Sequence, residues 1–373
     1  MPEAGAEAQP ARPVKAAVLS TIGSTTLEVR DDVAATPVTD GKVRVKIRAT
    51  GVCHSDLSAM TGTIPVAMPA VLGHEGAGEV VEVGAGVKGL KAGDHVVICW
   101  SPQCGQCADC TQGKPQLCMT LVAEAFGEPR FTCGDETLFG MAGAGTFAEE
   151  LVVPEAAAIK IGKDVPFDLA SLIGCGVMTG VGAVMNAAKV EPGSSVLVIG
   201  CGGVGISAIQ GARICGAAKI VAVDMVAHKL EWAKQFGATH AVTPDDLPAL
   251  SMELTGGAGF DYAFEVVGRS QTIRAAYDAT RRGGTTVVVG VGPADDMVSF
   301  SAFELFYGEK TIRSSYYGSA NIRRDFPRLL DLWRAGRLDL EGMVTKRITL
   351  DEVNDAFVAM QAGDVIRQVI TFD

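Results

Sequence analysis

The chain has 373 residues, which exceeds the size at which a single hydrophobic core usually stops growing, so two domains are expected. Hydrophobic residues make up 48% of the chain and charged residues 20%, the balance of an ordinary globular protein. The formal net charge of −11 argues against nucleic acids and anionic membrane surfaces as partners, because both attract clustered positive charge.

The N-terminal segment MPEAGAEAQPARP lacks the basic start and apolar centre of a secretion signal, and we expect residues 1–14 to form a disordered lead-in. Apolar stretches are interrupted by glycine or charge before they reach the ~20 residues that cross a bilayer. We therefore expect a cytoplasmic protein, in which thiols are usually reduced. The ten cysteines then need an explanation other than disulfides.

Short strands dominate the chain up to about residue 150, where the segments KAAVLS, KVRVKIRAT, EVVEVG, DHVVIC and FAEELVV alternate or are bounded by glycine. Near residue 175 the pattern changes to apolar strands that alternate with helix-length segments, as in SSVLVIG followed by VGISAIQGARICGA. Strands that are buried on both faces and joined by helices predict a parallel, doubly wound α/β sheet. A mixed pattern returns towards the C-terminus.

The motif GCGGVG contains Gly200, Gly202, Gly203 and Gly205 and lies between a predicted strand and a predicted helix. Glycine allows a tight turn and a close approach to a pyrophosphate, and the helix N-terminus offers amide groups with partial positive charge. A second strand ends in Asp224, whose carboxylate would bind the adenosine ribose hydroxyls and repel a 2′-phosphate. The sequence therefore predicts a Rossmann site that prefers NAD to NADP.

Four cysteines lie close together in CGQCADCTQGKPQLC, namely Cys104, Cys107, Cys110 and Cys118. Four thiolates at this spacing suit one tetrahedral zinc ion in a closed structural site. An iron–sulfur cluster and a redox-active CxxC pair are the alternatives that the spacing leaves open.

Three more motifs contain metal-ligating residue types: GVCHSD contains Cys53, GHEGAG contains His74, and GCG contains Cys175. Two cysteines and one histidine are a set that catalytic zinc uses when it keeps a fourth position open for water or substrate. The HExxH motif of zinc proteases is excluded, because Gly78 stands where its second histidine would be.

Together these motifs make the chain resemble the zinc-dependent medium-chain alcohol dehydrogenases, which are known for this Cys2His set. The resemblance runs from about residue 15 to the C-terminus and also includes the segments GCGVMTG, VDMVAHK and VIRQVITF. It implies a mostly β, GroES-like catalytic domain at 15–176 and 320–373, with the cysteine lobe at about 99–118. An NAD-binding Rossmann domain at 177–319 and a homodimer formed through these domains are also implied, and the long segment 119–145 is similar to that of dimeric members.

The resemblance implies a role for each residue of the metal site. Cys53, His74 and Cys175 would hold the catalytic zinc, and Asp56 would accept a hydrogen bond from His74 and fix its tautomer. Glu75 would lie behind the metal and act as a transient ligand during water exchange.

The resemblance also implies contacts to the coenzyme and the substrate. The residues expected near the coenzyme, besides the glycine motif and Asp224, are His54, Thr179, Val204, Lys229 and Arg367. The residues expected to line the substrate pocket are Ser55, Ile64, Trp100 and Val291. Ser55 would begin the proton path, and Ser58 stands where some members carry the histidine that ends it.

The implied activity is the oxidation of an alcohol, or the reverse reaction, by hydride transfer from a zinc-bound alkoxide to nicotinamide C4. The indole of Trp100 would leave little room for branching at the reacting carbon, which favours primary alcohols. The segments VLGHEGAG, PQCGQC and RFTC resemble the thiol-dependent formaldehyde dehydrogenase branch, but Val122 stands where that branch has an arginine for the thiol's carboxylate. A dinucleotide-binding protein without catalytic activity is the alternative from another class.

Overall fold

The computed structural model describes residues 12–373. Residues 1–11 of the predicted lead-in therefore lie outside the described residues, and its predicted end at residue 14 is wrong. Pro13 and Val14 begin the first strand, where they pair with Ala34 and Val33, and the Val14 side chain is buried. Strand pairing and burial of Val14 outweigh the flexibility that the Ala- and Pro-rich composition suggested.

The strands of the first half are, in chain order, β1 (Pro13–Leu19), β2 (Glu28–Ala35), β3 (Lys42–Val52), β4 (Ala70–Val71), β5 (Glu75–Val83), β6 (His95–Ile98), β7 (Pro129–Cys133), β8 (Glu136–Gly140), β9 (Glu150–Pro154) and β10 (Ala158–Ile161). The strands of the second half are β11 (Ser195–Ile199), β12 (Lys219–Val223), β13 (His240–Val242), β14 (Phe260–Glu265), β15 (Thr280–Val288), β16 (Thr311–Ser314), β17 (Val344–Ile348) and β18 (Arg367–Thr371).

The α-helices are α1 (His54–Met60), α2 (Ala108–Thr111), α3 (Met119–Gly127), α4 (Phe167–Leu172), α5 (Met178–Gly182), α6 (Gly203–Ile214), α7 (Ala227–Gln235), α8 (Leu247–Thr255), α9 (Ser270–Ala279), α10 (Ala302–Gly308), α11 (Ile322–Arg334) and α12 (Val353–Ala362). Wider turns extend α4 and α5 into one helix over Phe167–Ala188.

Two sheets form the mostly β part of the molecule. Strands β1, β2, β7, β8 and β4 close into a barrel. A second sheet has the order β10-β6-β5-β3-β18-β17, with β9 paired to β3. The C-terminal strand β18 therefore lies beside β3 from the N-terminal part, so both ends of the chain build this sheet.

The third sheet has the order β13-β12-β11-β14-β15-β16, and all of its strands are parallel. This is the doubly wound arrangement in which two halves extend in opposite directions from the first strand. The predicted fold class is confirmed. The strand order reverses between β11 and β14, and in such sheets the crevice at the carboxyl ends of these strands binds the ligand.

The helix Phe167–Ala188 is long and apolar enough to cross a membrane by length and composition. Its most apolar window is 83% buried inside the fold, where it packs against α6 and the turn that follows β16. Packing in the protein core therefore explains its apolar character.

Candidate metal and coenzyme site

Three neighbouring strands of the second sheet bring the predicted metal ligands together. Strand β3 ends immediately before Cys53, and Gly51 on that strand pairs with Glu75, which begins β5 directly after His74. Strand β18 begins at Arg367 and pairs with β3 on its other side. Three distant parts of the sequence therefore meet at the same end of these neighbouring strands.

The residues Cys53, His74, Glu75 and Cys175 form a buried cluster whose potential ligand atoms all lie within 4.8 Å of one another. Cys175 lies on the widened turn Ile173–Val177 of the long helix, a distortion that often occurs at functional sites. The Nε2 atom of His74 is buried without a hydrogen-bond partner among the described residues. An unpaired imidazole nitrogen beside two thiols fits a zinc ion.

Asp56 orients the histidine of this cluster. Its Oδ1 atom lies 3.2 Å from His74 Nδ1 and also accepts a hydrogen bond from the Gly73 N–H at 3.0 Å. Its Oδ2 atom accepts from the Cys53 N–H at 2.9 Å. One buried carboxylate therefore connects both metal-binding segments and leaves His74 Nε2 for the metal.

Contacts within the cluster favour the thiolate form of Cys53. A hydrogen bond from Cys175, together with the cation of Arg367, outweighs burial and lowers the pKa of the Cys53 thiol well below its usual range. Burial raises the pKa of Glu75 to about 7, although the nearby Arg367 cation opposes this shift. The Arg367 Nη2 atom lies 3.4 Å from Glu75 Oε1, so the pair neutralises two buried charges behind the metal cluster.

The four lobe cysteines also converge, with ligand atoms within 4.8 Å of one another and 3.9 Å between the sulfurs of Cys104 and Cys110. A tetrahedral ion with bonds of ~2.3 Å separates its sulfurs by about 3.8 Å. Backbone N–H groups of Gln106 and Cys107 lower the pKa of Cys104 to about 6, which favours the thiolate. All ten cysteines are free, so no CxxC pair forms a disulfide. The lobe therefore fits one structural zinc ion.

The glycine motif connects β11 to α6, as predicted. Gly200 has a φ of 101°, and Gly202 is the residue that precedes the first turn of α6. Asp224 follows β12, and its carboxylate accepts hydrogen bonds from the N–H groups of Cys201 and Val226 at 2.8 and 3.0 Å. The carboxylate is thereby fixed at the carboxyl end of β12, beside the glycine turn.

Arg367 connects the metal cluster to the coenzyme loop. A Cβ atom on Gly203 or on Gly176 would overlap the Arg367 guanidinium, so both positions require glycine for this close approach. The Nε atom of Arg367 is buried and has no partner among the described residues. A cation at the N-terminus of α6 fits the pyrophosphate of a dinucleotide.

The remaining predicted coenzyme residues lie around this loop. His54 is exposed at the start of α1, where surrounding protein atoms, together with Arg367 and Lys229, lower the pKa of its imidazole. Lys229 lies near the N-terminus of α7 and approaches Gly363. Thr179 is the second residue of α5 and Val204 the second residue of α6, two helices that pack against each other.

An aromatic wall, formed by Trp100, Tyr316 and Tyr317, lies beside the metal cluster. The Trp100 ring packs edge-on against Tyr316 at 5.3 Å and tilted against Tyr317 at 4.4 Å, measured between ring centroids. The Tyr317 hydroxyl donates a hydrogen bond to the carbonyl of Gly174, the residue before Cys175. Tyr316 is 45% exposed, so the wall has an accessible face.

The structure relates the other predicted pocket residues to the metal cluster less directly than it does Trp100. Ser55 Oγ lies 3.7 Å from Cys53 Sγ, next to the metal cluster. Ile64 is half-buried in the loop after α1, and its N–H donates to the Ser58 carbonyl at 3.0 Å. Val291 follows β15 and is 59% exposed. The lining roles of Ile64 and Val291 stay predictions.

Sequence reasoning missed three contributors to this site: Tyr316, Tyr317 and the pairing of Arg367 with Glu75. The tyrosine pair had a signal in SSYYGS, where aromatic residues next to glycine follow a parallel strand. The ion pair had none, because residues of opposite charge so far apart in sequence show no local pattern.

Comparisons with known proteins agree with this geometry. A model of the alcohol dehydrogenase GroES-like domain matches residues 39–163, and a model of the zinc-binding dehydrogenase matches residues 203–335. The chain is 39% identical over 351 residues to S-(hydroxymethyl)glutathione dehydrogenase from Paracoccus denitrificans, which covers 89% of this chain and 93% of that protein.

Solved structures of similar fold extend this agreement. Benzyl alcohol dehydrogenase from Acinetobacter calcoaceticus superposes with a TM-score of 0.90 at 34% identity, covering 96% of this chain and 99% of that one. A zinc-binding dehydrogenase from Sinorhizobium meliloti bound to NADP has a TM-score of 0.80 at 25% identity, with 96% and 99% coverage. These likenesses span both the metal cluster and the glycine loop.

Proposed function

The chain belongs to the zinc-dependent medium-chain alcohol dehydrogenases, and we propose that it interconverts primary alcohols and aldehydes with NAD as the hydride carrier. The observation that carries this proposal is the position of Arg367. Its guanidinium contacts Glu75 behind the metal cluster and also lies against Gly203 of the coenzyme loop. One side chain thus joins the two sites that a hydride transfer needs next to each other.

The metal ligands in this proposal are Cys53, His74 and Cys175. When bound, zinc supplies Lewis-acid chemistry that lowers the pKa of the alcohol hydroxyl. Asp56 holds the His74 ring in the tautomer that presents Nε2 to the metal, through its contact with Nδ1. Glu75 could supply a further ligand, because a carboxylate oxygen lies within 4.8 Å of the other ligand atoms and Oε2 is buried without a partner among the described residues.

The proton route begins at Ser55, whose Oγ lies next to Cys53 Sγ. The Ser55 hydroxyl accepts the proton of the alcohol and passes its own proton outward. In this proposal the exposed His54 and Arg367, which lies against Gly203, bind the pyrophosphate and hold the nicotinamide half in place. Ser58 has no titratable group, so we propose that water completes the route to solvent.

The coenzyme preference in this proposal comes from Asp224. The hydrogen bonds from Cys201 and Val226 fix its carboxylate at the end of β12, where the adenosine ribose is expected. A fixed negative charge there binds ribose hydroxyls and repels a 2′-phosphate. The NADP-bound neighbour from S. meliloti makes a direct comparison of the two coenzymes necessary.

The substrate preference comes from the aromatic wall. Trp100 is held on two sides by Tyr316 and Tyr317, so its indole cannot move aside for a branched carbon without disrupting both contacts. An aromatic surface next to the metal cluster also suits an aromatic or apolar alcohol tail. Oxidation of benzyl alcohol, ethanol and 2-propanol with NAD tests the proposal, and preferential oxidation of 2-propanol would refute it.

A second candidate is the oxidation of a thiol adduct of formaldehyde, which the name of the P. denitrificans relative favours. Recognition of a thiol such as glutathione needs a cation for its carboxylates. Val122 occupies the expected position of that cation and is buried in α3. Rates with formaldehyde in the presence and absence of glutathione separate the candidates, since dependence on the thiol would support the second one.

We further propose that the active form is a homodimer assembled through β16. All four residues of this edge strand are exposed, and the adjoining α10 exposes Phe303 by 72% and Phe306 by 84%. An unpaired edge next to exposed aromatic rings suits strand pairing with a second copy. The exchange of Phe306→Asp is expected to give a monomer in sedimentation measurements, and an unchanged dimer would contradict this interface.

The proposed location is the cytoplasm. All ten cysteines are free and six of them belong to the two candidate metal clusters. Reducing conditions keep such thiols available as ligands.

A further inference from the structure

We propose that Gln103 is a positioning residue through which the four-cysteine lobe holds the aromatic wall beside Cys175. This inference rests on the proposed function, because it assumes that Trp100 and Tyr316 contact the alcohol. It assigns the structural metal site a task in substrate selection in addition to local stability.

The side chain of Gln103 joins the lobe to a distant segment of the chain. It is 5% exposed and directly precedes Cys104, the first cysteine of the lobe. Its Nε2 donates to the Ala320 carbonyl at 2.8 Å, and its Oε1 accepts from the Ile322 N–H at 3.3 Å. Both hydrogen-bonding ends of one amide are therefore used on the segment that leads from β16 into α11.

The segment held by Gln103 has an unfavourable backbone. Tyr317, Gly318 and Ser319 have φ values of 50°, 67° and 49°. Left-handed conformations suit glycine but are disfavoured for tyrosine and serine, so they persist only when surrounding contacts enforce them. Two buried hydrogen bonds at the end of this turn are contacts of that kind.

The other contacts of the turn lead to the catalytic metal cluster. The Tyr317 hydroxyl donates to the Gly174 carbonyl, one residue before Cys175. Asn186, on the long helix Phe167–Ala188, donates from Nδ2 to the Gly318 carbonyl at 3.2 Å. Hydrogen bonds therefore continue from the lobe through Gln103 and the turn to the neighbour of Cys175.

The position of the aromatic wall follows from this arrangement. Tyr316 and Tyr317 belong to the turn, and Trp100 lies only three positions before Gln103 on the lobe side. Release of the turn would separate Trp100 from its two aromatic partners and widen the space beside the metal cluster. A large aromatic alcohol would contact more of the wall than ethanol does, so it would lose more catalytic efficiency.

The test compares Gln103→Leu with Gln210→Leu in the zinc-loaded full-length enzyme. Gln210 is a matched control, because it is fully buried and its amide makes the same pair of hydrogen bonds, to the Asp339 carbonyl at 3.0 Å and from the Asp339 N–H at 2.8 Å. Asp339 belongs neither to the lobe nor to the aromatic wall. The two readouts are the ratio of kcat/KM for benzyl alcohol to that for ethanol, and hydrogen exchange in residues 315–322.

The Gln103→Leu substitution is expected to lower the ratio of kcat/KM for benzyl alcohol to that for ethanol by about tenfold. Most of this change is expected to come from a higher KM for benzyl alcohol. Hydrogen exchange in 315–322 is expected to accelerate by about tenfold, while the zinc content stays unchanged. Gln210→Leu is expected to alter neither readout. Equal behaviour of the two variants would overturn the proposal.

Two further variants, Gln103→Glu and Cys104→Ser, test the hydrogen bonds of Gln103 and the contribution of the lobe separately. Gln103→Glu keeps the acceptor for the Ile322 N–H but loses the donor to Ala320, and it is expected to change both readouts in the same direction as Gln103→Leu. It serves as the test if Gln103→Leu fails to fold, and wild-type values would then overturn the proposal. Cys104→Ser removes a lobe ligand and is expected to accelerate exchange in 315–322, whereas unchanged exchange would show that the lobe does not hold the turn.

Hydrogen exchange also separates this inference from the proposed function. If the unaltered protein oxidises neither benzyl alcohol nor ethanol, the proposed function fails while exchange still reports on the turn. Faster exchange in Gln103→Leu than in Gln210→Leu would support the positioning role, and equal exchange would refute it.

Discussion

Asp56 Oδ1 lies 3.2 Å from His74 Nδ1, and both side chains are buried. The contact fixes which nitrogen of His74 can bind a metal. The exchange Asp56→Asn keeps the shape but removes the charge and one acceptor, so zinc affinity is expected to fall by about 10- to 100-fold. Titration with a competing chelator measures this change. An unchanged affinity would mean that Asp56 has no role in orienting His74.

The second prediction concerns the separation of metal chemistry from coenzyme binding. Cys53→Ala removes a ligand of the catalytic cluster and leaves the glycine loop intact, so turnover is expected to be lost while NAD binding persists. Steady-state rates and calorimetric titration with NAD provide the two readings. Substantial residual activity in Cys53→Ala would exclude this cluster as the catalytic centre.

The third prediction concerns coenzyme choice. We expect the enzyme to use NAD more efficiently than NADP by about tenfold or more, which corresponds to at least ~1.4 kcal/mol. Asp224→Asn retains one acceptor for the loop N–H groups but loses the negative charge, so this preference is expected to shrink. Asp245→Asn, an exposed acidic position after β13, is the control and should leave it unchanged. A native preference for NADP would refute the role of Asp224.

The fourth prediction concerns the size of the substrate. Trp100→Ala removes the indole between Tyr316 and Tyr317 and is expected to raise kcat/KM for 2-propanol relative to ethanol by about tenfold. The matched control is Trp333→Ala, because Trp333 hydrogen-bonds to Glu341 away from the metal cluster. If both variants discriminate between 2-propanol and ethanol as the unaltered enzyme does, Trp100 does not select against alcohols that are branched at the reacting carbon.

Much of the fold and the site was predictable because certain residue types carry their chemistry with them. Apolar strands alternating with helices indicate a parallel sheet wherever they occur, and GCGGVG needs only a strand before it and a helix after it. Cysteine and histidine at Cys53, His74 and Cys175 indicate a metal even though the chain separates them widely. The structure then brings their ligand atoms within 4.8 Å.

Other contacts were not predictable, since nothing local in the sequence marks them. Gln103 and Ala320 are 217 positions apart, and their hydrogen bond depends on how the lobe packs against the turn after β16. The pairing of Glu75 with Arg367 arises only because β18 lies beside β3. The start of β1 at Pro13 was missed for a related reason, because composition describes flexibility but not the partner strand.

Zinc content, measured by mass spectrometry on the purified protein and two variants, tests the central claim most directly. The account predicts two zinc ions per subunit, one for each cysteine cluster. It also predicts that Cys53→Ala and Cys104→Ser each lose one ion, and that only Cys53→Ala abolishes alcohol oxidation through loss of the catalytic metal. If the unaltered protein contains one zinc ion and Cys53→Ala still contains it, the result would contradict a zinc-dependent catalytic centre at Cys53, His74 and Cys175. A protein without any zinc would contradict it as well.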